Sequence, residues 1–298
     1  MHKRTIGWKA PGMALLVLIL SLQILELYHQ THGGAGQMLP VLMYHHFEET
    51  SKEGTVVSSA RFQEQVAAMY EAGYHAVTIP QVIDYVEKGT PLPENPVLIT
   101  MDDGYTSNLT IAAPVLEKYG MCATVFVIGI NEGEDAYVHS GEPFWQERFA
   151  YEEAIPWVEK GIIDPQSHTY DMHQLESYGY SGRDGTLRKD GESHADYRRA
   201  LLEDAEACRQ RRQGKLAGDL NALAYPFGYY SLEADEIMKE AGYILTVTID
   251  NRPNRLRIGD MDCLRLLGRI NVTDRMSGQD VVDRLAQYSS LRMTPRPE

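Results

Sequence analysis

The sequence predicts an α/β fold in which seven or eight parallel strands form a closed or nearly closed, distorted (β/α) barrel. Short apolar segments alternate with amphipathic segments after residue 38, which is typical of a parallel sheet covered by helices. About 250 residues follow without a linker rich in Gly, Pro or Ser, a length that suits one such barrel. The polar motifs directly follow predicted strands, where barrels of this kind carry their chemistry.

Eight segments are predicted as strands because they are short, apolar and bounded by turn-forming residues. They cover residues 40–45, 75–79, 97–101, 122–128, 161–165, 220–225, 244–249 and 264–270. Apolar residues at helical spacing predict helices ending near Gly73 and Gly120, and further helices over 193–215, 231–240 and 277–288. This order places a helix after most strands.

Residues 1–37 differ in composition from residues 38–298, which should form one domain. Lys3, Arg4 and Lys9 precede an apolar run over residues 10–25, the pattern of an export signal. Small residues suited to cleavage lie well beyond this run, so an uncleaved membrane anchor is favoured over a cleaved signal. Because the basic residues come first, the domain is expected outside the cytoplasm, either membrane-anchored or secreted.

The charge and the cysteines exclude two classes of protein. The formal net charge is −14, from 42 acidic and 28 basic side chains, whereas a nucleic-acid-binding surface must be basic. Three widely spaced cysteines cannot build a disulfide framework or a thiolate zinc site. An acidic domain suits a neutral or cationic polymer better than an anionic one.

Two adjacent aspartates, Asp102 and Asp103, end a predicted strand in the segment ITMDDGY. Neighbouring residues on a strand point to opposite faces, so the pair can act together only if the backbone turns here. Gly104 would permit such a turn. Asp and Gly are also common in plain turns, so the motif alone leaves a structural role open.

A second cluster, SHTYDMH, follows the predicted strand at 161–165 and contains His168, Asp171 and His173. Five residues is the wrong spacing for one face of a helix, so a loop must bring the two imidazoles together. Two histidines and one carboxylate form a three-ligand set that leaves open positions on Zn²⁺ or a similar ion. An ordinary pair of surface histidines is the alternative.

These motifs resemble those of the NodB-type polysaccharide deacetylases, also called carbohydrate esterase family 4. TMDDG at residues 100–104 resembles the first motif of that family, and HTYDMH and VLMYHHF resemble its poly-N-acetylglucosamine deacetylase branch. The resemblance extends over residues 39–284 and implies the NodB-homology fold. It also implies metal-dependent removal of N-acetyl groups from a cell-surface or extracellular polysaccharide. Poly-N-acetylglucosamine is the favoured substrate and peptidoglycan the second.

The resemblance further implies a role for each motif residue. Asp103, His168 and His173 would bind the metal, and Asp102 would be the general base. Zn²⁺ is the expected metal, although the same donors suit Co²⁺, Ni²⁺ or Fe²⁺.

The third motif of the family resembles AYPFG at residues 224–228, so Tyr225, Pro226 or Phe227 would contact the substrate or supply an N–H for the oxyanion. That motif usually begins with an arginine that pairs with the base, and Ala224 stands there in this chain. Arg269, at the end of the last predicted strand, could reach the same site and join the substrate-binding residues. An exposed arginine at a strand edge is the more ordinary interpretation.

The late Leu-x-His motif, which supplies the general acid in the family, is missing. His45, at the end of the first predicted strand, is the candidate acid, because the departing amine must be protonated. A structural histidine that orders the loop is the alternative.

The polar segment 176–193 is either one wall of a substrate groove or a tolerated insertion. In the first case Tyr178 and Tyr180 would stack on sugar rings and Arg183 would contact the polymer. Trp145 and Trp157 are expected in the core, as is usual for tryptophan.

Two other functions stay open on the sequence alone. One is a polysaccharide-binding barrel that has lost turnover, given the missing arginine and histidine. The other is an O-acetyl esterase that acts on a different glycan. A glycoside hydrolase would need two separated carboxylates, which adjacent aspartates do not provide. The sequence indicates no oligomeric state.

Overall fold

A computed structural model describes residues 36–50 and 54–290. The described residues from Met38 onward form one compact unit. The predicted signal or membrane anchor falls almost entirely outside the described residues and stays a prediction. Within the described ranges, no helix combines the length and the apolar character needed to cross a membrane.

Strands and helices alternate along most of the unit, as the sequence predicts. The strands are β1 (Gln37–Met38), β2 (Val41–Tyr44), β3 (His46–Glu48), β4 (Val56–Ser58), β5 (His75–Ala76), β6 (Pro96–Asp103), β7 (Ala123–Val127), β8 (Ile163–Ser167), β9 (Ala222–Ala224), β10 (Leu245–Val247), β11 (Arg255–Leu256) and β12 (Ile270–Asn271). The helices are α1 (Ser59–Glu71), α2 (Ile79–Lys88), α3 (Ala113–Lys118), α4 (Tyr151–Glu159), α5 (His194–Arg212), α6 (Leu232–Glu240) and α7 (Gly278–Ser290).

Seven strands form one curled half-barrel sheet in the order β10-β9-β8-β7-β6-β2-β12, with every pairing parallel. The short β5 pairs with the start of β6, and β3 and β4 form a separate parallel pair. A single parallel bridge between Val247 and Leu267 connects β10 to the irregular chain that leads into β12. The predicted fold class is confirmed.

Strand β6 lies at the centre of the sheet and is buried at all of its residues. Helix α1 covers the sheet through Phe62, Val66 and Met69, whose spacing in the sequence predicts one buried helical face. The carboxyl ends of β2, β6, β8 and β9 meet at one edge, because parallel strands run in the same direction. His45, Asp103, His168 and the loop after Ala224 are therefore brought to that edge.

Apolar spacing predicts Ile111, Val115 and Leu116 as the buried face of the helix before Gly120, and of these three only Leu116 is fully buried. Ile111 and Val115 are only partly buried, whereas Leu109, Ala112 and Leu116 lie in the core. The reason is a turn of π-helix over Asn108–Ala112, which adds residues to one turn and rotates the apolar face.

Two helices and one strand also differ from the prediction. Helix α2 begins inside the predicted strand 75–79, because Thr78 and Gln81 form a capping box there. Helix α4 was not predicted. Most of the predicted strand 264–270 is irregular: a 3₁₀ turn occupies Met261–Leu264, and only Ile270–Asn271 pairs with β2.

Candidate metal centre and active site

A turn of the backbone at the end of β6 makes the side chains of Asp102 and Asp103 point in different directions. Asp103 has a φ of +77° and Gly104 a φ of +72°, both in the left-handed region that ordinary strands do not use. A Cβ on Gly104 would also lie 3.1 Å from Val127 Cγ1. The expected turn is therefore present, and only glycine satisfies both demands at position 104.

Asp103, His168 and His173 converge on one point. The Asp103 Oδ1 atom lies 3.5 Å from His168 Nε2 and 3.3 Å from His173 Nε2. All three donor atoms lie within 4.8 Å of one another. Two ligands about 2.1 Å from a tetrahedral Zn²⁺ would be about 3.4 Å apart, so these separations fit a divalent ion held between the three side chains.

The hydrogen bond on the far side of His168 fixes which ring nitrogen faces the cluster. His168 Nδ1 lies 2.8 Å from the Ala224 carbonyl oxygen. A carbonyl can only accept, so Nδ1 carries the hydrogen and Nε2 is left with a lone pair for a metal. Metal-binding histidines are commonly oriented in this way.

The side chains around this cluster shift the pKa of Asp103 and of His168. Burial would raise the pKa of Asp103, but His168, His173 and Arg148 hold it well below its usual range. Burial lowers the pKa of His168, yet the neighbouring carboxylates Asp103 and Asp102 raise it above its ordinary value. The cluster therefore attracts positive charge, which a divalent cation would supply.

Asp171 does not join this set. Its Oδ1 atom accepts hydrogen bonds from His139 Nε2 at 2.7 Å and Gln174 Nε2 at 3.1 Å. The carboxylate of the three-residue cluster is thus Asp103 and not the aspartate between the histidines.

Asp102 is held by Arg269 in a bidentate ion pair. Arg269 Nη1 and Nη2 donate to the two carboxylate oxygens at 2.7 and 2.8 Å. Burial would raise the pKa of Asp102, but the charges of Arg269 and His168 lower it. Asp102 is therefore an ionised carboxylate in a fixed orientation beside the metal cluster.

The interpretation of Arg269 as an exposed strand-edge residue is wrong. Its side chain is fully buried, and it also donates to the Thr248 carbonyl and to Thr100 Oγ1. These contacts assign Arg269 to orienting Asp102 instead of binding substrate. An arginine from the segment before β12 thus takes the place of the one absent at Ala224.

The loop after β9 contains one candidate oxyanion donor instead of three. The N–H of Tyr225 donates to the Val247 carbonyl at 3.2 Å, and its buried hydroxyl donates to Asp235. Pro226 has no N–H. Phe227 has a φ of +56° and its ring lies 4.2 Å from that of His173. Among the described residues no acceptor takes the Phe227 N–H, so Tyr225 and Pro226 are set aside as oxyanion donors.

His45 follows β2 directly and is half-buried beside both aspartates. Burial lowers its pKa, while Asp102 and Asp103 act in the opposite direction. The neighbouring His46 is buried, with its Nδ1 atom 2.9 Å from Ser107 Oγ. Of the two histidines, His45 is the one whose pKa is affected by Asp102 and Asp103.

Comparison with known proteins agrees with this architecture. The family model for polysaccharide deacetylase matches residues 89–245, which is more than half of the chain. The chain belongs to the polysaccharide deacetylase family. The family and the NodB-type barrel predicted from the short motifs are thereby confirmed, as is the enzyme class.

The chain is similar to several curated proteins and solved structures. It is 27% identical over 225 residues to the Escherichia coli (strain K12) poly-beta-1,6-N-acetyl-D-glucosamine N-deacetylase, covering 70% of this chain and 34% of that protein. It is 24% identical over 199 residues to the protein of the same name from Staphylococcus aureus (strain MRSA252), covering 66% of this chain and 63% of that one. The solved structure of IcaB from Ammonifex degensii has a TM-score of 0.67 and 28% identity, covering 84% of this chain and 97% of that one.

The chain spans about a third of the length of the Escherichia coli relative and less than two thirds of the Staphylococcus aureus one.

Arg148 is a residue of the deacetylase site that the sequence analysis missed. Its Nη1 atom donates to the Asp103 carbonyl at 2.8 Å and lies 3.9 Å from Asp103 Oδ2. Its guanidinium lies over the Tyr105 ring at 3.8 Å. Arg148 comes from a long loop with no motif around it, so no sequence signal could have identified it.

A pocket of about 330 Å³ opens beside the three side chains Asp103, His168 and His173, with Asp103 and His173 in its lining. The rest of its lining includes an aromatic wall from the loops after β7 and β8, made of Tyr137, His139, Trp145, Tyr178 and Tyr180. The predicted place of Tyr178 and Tyr180 beside a groove fits this wall.

Two expectations about these loops are wrong. Trp145 is 67% exposed and lines the pocket instead of packing in the core. Arg183 is buried and pairs with Glu192 at 2.7 Å, so it is not available to a polymer. Trp157, by contrast, packs against the main core.

Proposed function

We propose that this deacetylase hydrolyses the N-acetyl groups of N-acetylglucosamine units in a cell-surface or extracellular polysaccharide and that it depends on a divalent metal. The observation that carries the proposal is the convergence of Asp103, His168 and His173 beside an independently held Asp102. The first set has the donors and spacing for Zn²⁺. The second provides a carboxylate outside that set.

Each part of the cluster matches a demand of amide hydrolysis. A Zn²⁺ ion at this position would supply Lewis-acid polarisation of the acetamide carbonyl and lower the pKa of an attacking water. His168 and His173 would hold that ion through their Nε2 atoms, and Asp103 through a carboxylate oxygen.

Asp102 is the general base of the proposed reaction. It takes a proton from the water that attacks the acetamide carbon, and its ionised state is favoured by Arg269. Since both oxygens accept from Arg269, only their remaining lone pairs can meet the water. This geometry restricts the approach of the water to a defined direction.

The Phe227 N–H is the proposed donor to the oxyanion that forms on the former carbonyl oxygen. It is unclaimed within the described residues, and its residue is in contact with His173. A backbone donor fixed in advance stabilises developing negative charge without reorganisation.

His45 is the proposed general acid. As the C–N bond breaks, the protonated form of His45 donates a proton to the nitrogen, acetate leaves, and the sugar keeps a free amine. The proton that Asp102 took from the water then restores the protonated form of His45. An amide nitrogen cannot leave unprotonated at neutral pH, so some residue must fill this role. His45 lies beside both aspartates of the site.

The proposed substrate is poly-N-acetylglucosamine, with peptidoglycan second. The five-residue histidine spacing and the names of the relatives support this order. The exposed faces of Trp145, Tyr178 and Tyr180 offer stacking surfaces for sugar rings along the pocket. Deacetylation makes the polymer cationic, which suits an acidic protein.

The proposed location is outside the cytoplasm, either anchored in the membrane or secreted. The basic residues and apolar run within residues 1–37 support this location.

Acetate release tests the proposal directly. The protein is incubated with poly-N-acetylglucosamine, peptidoglycan and acetylated xylan, before and after treatment with a chelator and again after zinc is restored. We expect release from the first substrate, loss with chelator and recovery with zinc. Release from xylan alone would favour the O-acetyl esterase, and a zinc-loaded protein that releases nothing would favour the binding module.

A further inference from the structure

The loop between the two histidines of the metal cluster has an unusual backbone. Thr169, directly after His168, has a φ of +67°. A β-branched residue in the left-handed region is strained, and such conformations persist only where the surroundings impose them. The loop therefore needs contacts that hold it in this shape.

One set of contacts comes from a carboxylate on helix α5. The Tyr170 N–H donates to Asp204 Oδ1 at 2.9 Å, and the Asp171 N–H donates to Asp204 Oδ2 at 2.7 Å. Asp204 is itself buried, with 8% of its surface exposed. A single side chain thus fixes two consecutive peptide groups in the middle of the loop.

A second set comes from the loop after β7. The Gly129 N–H donates to the Thr169 carbonyl at 2.9 Å, and the Ile130 N–H donates to the Tyr170 carbonyl at 2.8 Å. The carbonyls of the loop are held on one side and its N–H groups on the other. Among the described residues, Asp204 is the only side chain that accepts hydrogen bonds from the N–H groups of Tyr170 and Asp171.

We propose that Asp204 is a positioning residue for the metal centre, which holds the His168–His173 loop so that both imidazoles face Asp103. This inference rests on the proposed metal-dependent function. The two histidines are on opposite ends of the segment that Asp204 clamps, so a relaxed loop would change the separation of their Nε2 atoms. Asp204 touches neither histidine and acts only through the backbone.

A carboxylate is the side chain that this task requires. Its two oxygens both accept, and each one meets a different N–H. Asparagine has nearly the same shape but offers one acceptor and one NH₂ group. In Asp204→Asn, one of the two backbone N–H groups would face another donor and lose its hydrogen bond.

The test is the zinc affinity of Asp204→Asn, measured by competition with a chromogenic chelator on the full chain. We expect affinity to fall about 10- to 100-fold, the usual effect of losing a residue that orients metal ligands. Glu203→Gln is the matched control, because Glu203 is the preceding residue on α5 and its side chain is 72% exposed. The control should bind zinc like the parent chain. The melting temperature of each protein in chelator reports folding separately.

A merely structural Asp204 would behave differently. In that case Asp204→Asn lowers the melting temperature equally with and without zinc and leaves the affinity unchanged, which overturns the inference. Loss of acetate release with zinc affinity intact would also count against it. A parent chain that binds zinc but releases no acetate would refute the proposed function and leave the affinity comparison valid.

A second variant covers the case in which Asp204→Asn does not fold. Gly129→Ala would place a Cβ 2.8 Å from Tyr170 Cδ2 and 3.2 Å from Tyr170 Cα, which displaces the same loop with Asp204 intact. We expect weaker zinc binding in this variant as well. Unchanged zinc affinity in Gly129→Ala would mean that loop position does not control the metal site, and the inference would be abandoned.

Discussion

Asp102 and Asp103 are neighbouring residues of the same type, yet their side chains lie in different environments. Asp102 faces Arg269, whose positive charge is permanent and whose two donors occupy both oxygens. Asp103 faces two imidazoles, which can give up their protons and become metal ligands. The partner of each carboxylate therefore determines its role. A carboxylate beside a fixed cation remains a base, and one beside histidines is free to bind a metal.

Removing the carboxylate on the metal side should have the largest effect. Asp103→Asn replaces a charged ligand by a weaker neutral one and leaves Asp102 in place. We expect zinc binding to be lost and acetate release to fall by about 10³-fold or more, since the metal supplies several kcal/mol of transition-state stabilisation. Zinc stoichiometry after dialysis, together with kcat, checks this prediction.

Removing the carboxylate on the base side should separate binding from catalysis. Asp102→Asn keeps the shape of the side chain but cannot accept the proton of the water. We expect kcat to fall by about 10²- to 10⁴-fold, the usual contribution of a general base, while zinc binds as in the parent chain. Equal loss of zinc from both asparagine variants would erase the distinction between the two aspartates.

Arg269 should matter for both stability and rate. Arg269→Met leaves the Asp102 charge buried without its partner, so the free energy of unfolding should fall by about 3–5 kcal/mol. Arg269→Lys keeps the charge but not the bidentate contact and should lose less stability while still lowering kcat. Denaturant unfolding and acetate release, both in the presence of zinc, measure the two effects. A lysine variant with full kcat would show that charge alone suffices.

The aromatic wall should affect the binding of long substrates more than the chemistry. Trp145→Ala and Tyr178→Ala remove stacking surfaces worth about 1 kcal/mol each, so KM for an acetylated tetrasaccharide should rise about fivefold in each variant. The kcat for a small acetylated substrate should not change. Tyr70→Ala, which removes an exposed tyrosine from α1, is the control. An equal rise in KM for both substrate sizes would contradict the role of the wall.

Asp164 lies away from the site, and replacing it should change stability without affecting catalysis. Burial raises its pKa to about 6, above the value of about 3.9 in an unfolded chain. The folded state therefore binds the proton more tightly, and stability is lost as the pH rises from about 4 to 6. Asp164→Asn removes this cost, so its unfolding free energy should match the parent near pH 4 and exceed it by about 1–3 kcal/mol at pH 7. A difference independent of pH would contradict the assignment.

The sequence predicted the residues that directly follow regular strands. Asp102, Asp103 and His168 lie where β6 and β8 end, so strand direction alone brings them to one edge. The prediction from sequence failed where the backbone is irregular. Arg269 was misjudged because residues 264–270 were expected to be a strand, whereas the 3₁₀ turn and the Leu267 bridge direct Arg269 inward.

Long loops were the other source of error. Arg148 and Trp145 reach the site from a segment without regular periodicity, and their positions depend on contacts that only the folded chain shows. The rotated face of the helix before Gly120 has a similar cause, because nothing in the composition of Asn108–Ala112 indicates a π-turn.

Anomalous diffraction from crystals grown with zinc would test most directly the cation site formed by Asp103, His168 and His173. We expect one peak at about 2.0–2.2 Å from an Asp103 oxygen and from the Nε2 atoms of His168 and His173, with Asp102 still paired to Arg269. Zinc bound by Asp102, or absent from this cluster in a protein that releases acetate, would contradict the division of labour between the two aspartates.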